Sequence, residues 1–169
     1  STMKQRQLEI LLQKVPFPGH PLPHLEQYMT PAPIAADILF TAYHYGDIEG
    51  KNVIDLGCGT GVFSVGAAYM GAHEVRGFDV DESVITLART FAQSKNLPIL
   101  YQVQGVSAVE TRCDTVLMNP PFGAQKRNKN ADRRFLEKGF KIATVIYSLH
   151  LKKTVPFIET LIHALLGDL

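Results

Sequence analysis

Ile54-Asp55-Leu56-Gly57-Cys58-Gly59-Thr60-Gly61 is the stretch from which the fold of this chain can be read. A short apolar run, Asn52–Leu56, meets three glycines spaced G-x-G-x-G, and residues 62–70 then carry a helical pattern. A strand that passes through a glycine-rich turn into a helix opens a βαβ unit. Glycine permits the tight turn and lets a ligand approach the backbone. The dinucleotide fingerprint G-x-G-x-x-G would need a glycine at 62, where Val62 stands, so the turn argues against a dinucleotide.

Outward from this turn the alternation continues. Residues 74–79, 99–103, 115–118 and 144–149 read as strands, and 82–94, 133–142 and 155–166 as helices. This order predicts an α/β fold with a mainly parallel, doubly wound sheet covered on both faces. Upstream, Leu8, Leu11, Leu12 and Val15 recur at i, i+3, i+4 and i+7 and predict an amphipathic helix over residues 3–15. Pro16, Pro18, Pro21 and Pro23 break it, and Thr30-Pro31 opens a second helix over 32–43. The organisation expected is one domain, 1–169, with a helical extension over 1–45 and a Rossmann-like core over 46–169.

Composition narrows the class. At 169 residues, with 46% hydrophobic and 20% charged residues, the chain suits one globular domain with a real core. No run approaches a membrane span and no signal-peptide pattern is present, so a cytoplasmic protein is expected. Cys58 and Cys113 lack metal-ligand spacing and read as reduced thiols, with no metal site. The net charge of +1 conceals an asymmetry: residues 123–153 hold nine Lys/Arg against two acids, a net +7 that leaves −6 elsewhere. Lys126, Arg127, Lys129, Arg133 and Arg134 are read as the start of a phosphate-binding rim.

Two acids suggest the small ligand. Asp55, directly ahead of the glycines, repels a phosphate and suits a ligand bearing an ammonium and a sulfonium. Asp79 closes the second strand, about 20 residues on, where an acid accepts ribose hydroxyls in doubly wound folds. The ligand indicated is S-adenosylmethionine. Asn119-Pro120-Pro121-Phe122 follows the fourth strand and supplies an acceptor site. The prolines fix φ and remove backbone donors, Asn119 offers an amide, and Phe122 a flat face. A planar group with an exocyclic NH2 fits there, donating to the Asn119 oxygen and the Pro120 carbonyl while stacking on Phe122.

Together these motifs resemble the amino-group methyltransferases of the Rossmann-like class. Glu26-Gln27-Tyr28 with Thr30, Met118-Asn119-Pro120-Pro121-Phe122-Gly123 and Tyr147-Ser148-Leu149-His150 closely resemble the methyltransferase-like protein 5 family and its archaeal relatives. That family methylates adenine N6 in small-subunit ribosomal RNA. The resemblance implies cofactor contacts from Gln27, Tyr28, Thr30, Gly57, Cys58, Gly59, Gly61, Val80 and Asn119 beside Asp55 and Asp79. Tyr28 either closes over the site or packs the N-terminal helix, and His150 reads as structural. The resemblance also implies a small zinc-ribbon activator subunit. The uncharged, β-prone edge strand Ile99–Val103 is its expected dock, by strand addition.

Two departures stand out. Gly105 occupies the place of the acid that family members carry after the third strand. The chain is also expected to stop short of the family's C-terminal strand pair, as a fragment would. Rival readings are glutamine-N5 methylation of a protein, methylation of DNA adenine, and a catalytically silent RNA-binding subunit. About 45 residues precede the first strand, fewer than the helical domain of the glutamine enzymes, and this favours RNA.

Overall fold

In the computed structural model, described for residues 4–19, 29–120 and 131–149, five strands form one parallel sheet. The elements are α1 (Gln5–Gln13), α2 (Ala32–His44), β1 (Asn52–Leu56), α3 (Val62–Tyr69), β2 (Glu74–Asp79), α4 (Glu82–Ser94), β3 (Ile99–Val103), β4 (Cys113–Met118), α5 (Ala131–Ile142) and β5 (Ala143–Ser148). Sheet order is β3-β2-β1-β4-β5, and every neighbouring pair is parallel. The doubly wound expectation is met, with β3 at an edge. The expected helix over 155–166 lies outside the described residues.

Period-two alternation sorts the side chains into two layers. Val53, Val75 and Leu117 join one core cluster with α1, α2 and α3, through Leu8, Leu12, Ala35, Leu39 and Val65. Ile54, Leu56, Phe78, Val116 and Met118 join the other, with Leu136 and Ile142 of α5. A third group, Ile85, Ala88, Ala92, Cys58 and Tyr101, seats α4 against β3. Burying such apolar faces contributes about 25 cal/mol per Å² removed from water, which is what holds helices this short in place.

Several boundaries differ from expectation: α2 runs one residue longer, α3 ends one residue sooner, and β5 is shifted one residue toward the N-terminus. β4 begins at Cys113, two residues early, because Asp114 has work at the strand start: its Oδ2 accepts from the Asn52 amide at 2.8 Å. α5 begins at Ala131 rather than Arg133, and α1 spans Gln5–Gln13 rather than 3–15. The turn between α2 and β1 is tied across the sheet. Thr115 Oγ1 donates to the Asp47 carbonyl at 2.7 Å, and the Tyr147 hydroxyl donates to Asp47 Oδ2. Among the described residues, no helix is long and apolar enough to cross a membrane.

Candidate active site

Register builds the site. Leu56 pairs with both Phe78 and Met118, so the chain leaves β2, β1 and β4 at one level. The residues that follow, Asp79, Gly57 and Asn119, therefore stand along one end of the sheet. The chain also reverses its lateral direction between β1 and β4, the switch point where doubly wound folds open a ligand crevice.

The glycine turn is clamped from both sides. The amides of Gly57 and Cys58 donate to the Phe78 carbonyl at 2.8 and 2.9 Å, and the Gly59 amide donates to Asp79 Oδ2 at 2.8 Å. Asp79 Oδ1 accepts from the Asp81 amide at 3.0 Å. Gly61, at φ +101°, enters α3 without a capping side chain. The cap comes from β1 instead: Asp55 Oδ2 accepts from the Ser64 amide at 2.9 Å, setting an acid against a helix N-terminus. Burial outweighs that benefit and pushes the Asp55 carboxyl up to about 7. Burial also raises Asp79, against the lowering effect of its amide donors.

Sequence reasoning missed what lies beneath this turn. The Tyr101 hydroxyl is 2.7 Å from Ser64 Oγ, which donates to the Gly61 carbonyl at 3.1 Å, so the tyrosine is the donor to serine. A Cβ at Gly61 would collide with that hydroxyl, and one at Gly57 would lie 2.8 Å from Cε1 of Phe135 on α5. In the sequence Tyr101 is legible only as a β-prone residue of an edge strand, and Phe135 only as part of a basic helix. Cys58 is buried beside Tyr101, and burial lifts its thiol well above the ordinary range, so it serves as packing.

The ligand side of the turn stays open. A Cβ at Gly59 would meet nothing within 4 Å. Val80 is 58% exposed beside Asp79, an apolar surface next to an acid. Gly105 lies against it, with Val80 Cγ1 3.5 Å from where a Cβ would stand. An open glycine cradle, a half-buried acid with lone pairs remaining and an exposed apolar shelf fit an adenosine-bearing cation such as S-adenosylmethionine.

On the acceptor side, the Met118 carbonyl takes a hydrogen bond from the Leu149 amide at 2.9 Å, closing the ladder just before Asn119 leaves it. Asn119 Nδ2 donates to Thr30 Oγ1 at 2.9 Å, and Pro120 is buried. Thr30, expected at the cofactor, is thus bonded to the acceptor asparagine. Arg133 and Arg134 are exposed on the first turns of α5, with Arg133 3.5 Å from Glu137. Lys138, counted in the basic run, donates instead to the carbonyls of Val109 at 2.7 Å and Ser107 at 3.2 Å. Gln27, Tyr28, Pro121, Phe122, Lys126, Arg127, Lys129 and His150 lie outside the described residues. No group of three His, Cys, Asp or Glu that could hold a metal occurs among the described ones.

Comparison with known proteins bears on this geometry. Residues 34–144 match the methyltransferase small domain family. The chain is 40% identical over 164 residues to the rRNA N(6)-adenosine-methyltransferase METTL5 of Danio rerio, covering 93% of this chain and 79% of that one. It is 40% identical over 168 residues to Mettl5 of Drosophila melanogaster, covering 93% and 77%. A crystal structure from Pyrococcus horikoshii, of a protein proposed to be an RNA methyltransferase, superposes with a TM-score of 0.87 at 42% identity, covering 95% of this chain and 79% of that one.

Proposed function

Because the chain belongs to the methyltransferase small domain family, and within it to the METTL5 group of rRNA N6-adenosine methyltransferases, we propose that it transfers a methyl group from S-adenosylmethionine to N6 of an adenine in ribosomal RNA. The cofactor, when bound, supplies an electrophilic methyl group on a sulfonium. The observation that carries the reading is the shared register of Leu56 with Phe78 and Met118, which sets the glycine turn and Asp79 beside Asn119.

The chain's own residues divide the work. Asp79 takes the ribose hydroxyls, Val80 packs the adenine, and Asp55 faces the cationic end. Gly57, Cys58, Gly59 and Gly61 supply the cradle, and Gln27 and Tyr28 are assigned to it by resemblance. Adenine N6 is a weak nucleophile because its lone pair is delocalised into the ring. Asn119 Oδ1 and the Pro120 carbonyl accept its two hydrogens, favour a pyramidal nitrogen and stabilise the positive charge that develops there. Held by the prolines, these acceptors need no reorganisation. Phe122 stacks the unstacked base.

Arg133 and Arg134, with Lys126, Arg127 and Lys129, form the phosphate rim; the first two are exposed on α5, the helix whose Phe135 ring packs on Gly57. The β3 edge is assigned to a small zinc-ribbon activator, supported by exposed Leu100 and Val103 on an uncharged strand. Val103→Pro, at a position whose amide points to the free edge because the neighbouring Gln104 amide donates to the Asp79 carbonyl of β2, tests this with such a subunit: undiminished co-purification would discard the edge as the contact. A cytoplasmic setting is proposed with it, and fractionation showing a membrane-bound or secreted pool would refute that.

The decisive test of the function is Asn119→Ala. Transfer of labelled methyl to ribosomal RNA is expected to fall by at least about 100-fold while cofactor affinity holds. Methylation at close to the parent rate would refute the acceptor mechanism.

A further inference from the structure

Thr30 is 6% exposed, and its hydroxyl oxygen receives the Asn119 amide nitrogen at 2.9 Å across 89 positions of sequence. A terminal amide has two ends of nearly equal size and turns about a broad two-fold torsion. Only its oxygen can accept a hydrogen from an amine. With Nδ2 engaged by Thr30, Oδ1 is the end left to face an incoming N–H.

We propose that Thr30 is a positioning residue, whose hydroxyl holds the Asn119 amide in the orientation that presents Oδ1 to the acceptor amine. This rests on the reading of Asn119 as the group that receives the amine's hydrogens. It gives Thr30 a task separate from the cofactor contact expected of it from the sequence.

The support behind Thr30 suits the role. Pro31, the next residue, is the N-cap of α2, and its carbonyl accepts from the Ala35 amide at 2.9 Å. α2 in turn is fixed by fully buried Ala35, Ala36, Leu39 and Ala42. The Leu39 side chain fills the space that a Cβ on Gly66 of α3 would need. The hydroxyl is therefore carried at the start of a packed helix, which places a group more tightly than a free loop does.

Thr30→Val tests the proposal, since it replaces the hydroxyl by a methyl at nearly constant volume. Measurements are kcat and KM on unmodified small-subunit ribosomal RNA transcribed in vitro, S-adenosylmethionine affinity by calorimetry, and the melting temperature. The expected result is a kcat lowered roughly 10–100-fold, with KM and cofactor affinity unchanged, because a misoriented acceptor loses alignment and not binding. Thr30→Ser is expected to recover most of the rate. In the Asn119→Ala background, Thr30→Val is expected to have no further effect. Parent kcat in Thr30→Val, with Asn119→Ala inactive, would overturn the positioning role and leave the proposed function standing. Lost cofactor affinity with kcat retained would make Thr30 a cofactor contact and overturn the role. A Thr30→Ser variant as slow as Thr30→Val would overturn it too. Full activity in Asn119→Ala itself would take down the function reading as well.

Discussion

The two halves of the crevice are held in different ways. On the cofactor side, the glycine turn is fastened by the Phe78 carbonyl, by Asp79, by the Asp55 cap on α3 and by the Tyr101–Ser64–Gly61 chain below it. On the acceptor side, the described side-chain bond of Asn119 is a single one, donated to a residue in the N-terminal extension. Redundant bonding makes the first half tolerant, because losing one contact leaves the others to hold the turn. The second half is brittle. Single substitutions should therefore grade cofactor affinity but switch turnover on or off.

Asp79→Ala is the hardest test of tolerance on the cofactor side. It removes the proposed ribose acceptor together with the bond to the Gly59 amide. Affinity for S-adenosylmethionine should fall by about 1.5–3 kcal/mol, roughly 10- to 150-fold, while some turnover persists at saturation. Unchanged affinity in calorimetry would remove Asp79 from the site.

A smaller effect is expected from pH, through Asp55, whose carboxyl burial raises from 3.8 to about 7. The folded protein holds this proton more tightly than the unfolded chain does. The resulting stability is complete at low pH and is lost as pH climbs through about 7. Cofactor affinity runs the other way, because a cationic ligand favours the carboxylate. Affinity should rise by up to about tenfold per pH unit below 7 and level off above it. Asp55→Asn should flatten the profile. A flat profile in the parent protein would separate Asp55 from the cationic end of the ligand.

Tyr101→Phe should weaken cofactor binding only a few-fold and lower stability by about 1 kcal/mol, since Ser64 keeps its bond to Gly61. A loss as large as that of Asp79→Ala would show the turn to be less redundant than its bonding suggests. Least of all, Arg133→Gln with Arg134→Gln should raise KM for RNA without touching cofactor affinity. The salt dependence should flatten by about one slope unit per lost phosphate contact. An unaltered slope would return these two side chains to ordinary solvated surface.

The sequence made the sheet legible because its strands are short apolar runs cut by glycine turns. β1, β2, α4 and β3 lie where pattern places them. From sequence β4 reads two residues short because Asp114 interrupts the apolar pattern, and only the tertiary fold gives Asp114 the Asn52 amide to accept from. Site residues were legible one motif at a time. Asp55 could be placed ahead of a helix, but its part as the cap of that helix depends on the turn's three-dimensional path. The partnership of Ser64 with Tyr101 joins residues 37 apart, and that of Thr30 with Asn119 joins residues 89 apart. No periodicity encodes such pairs.

The length of that last loop has a kinetic meaning. Contacts between residues distant in sequence form late, after the chain between them has been ordered. Every strand except β5 lies between Thr30 and Asn119, and the glycine turn can form without their bond. A refolding chain should accordingly regain the capacity to bind S-adenosylmethionine before it regains methyl transfer. Stopped-flow binding that recovers together with activity, and not ahead of it, would contradict this. On this view turnover is the stricter assay of nativeness: a molecule whose sheet is complete but whose Thr30–Asn119 bond has not formed still looks folded to its cofactor and is already slow toward RNA.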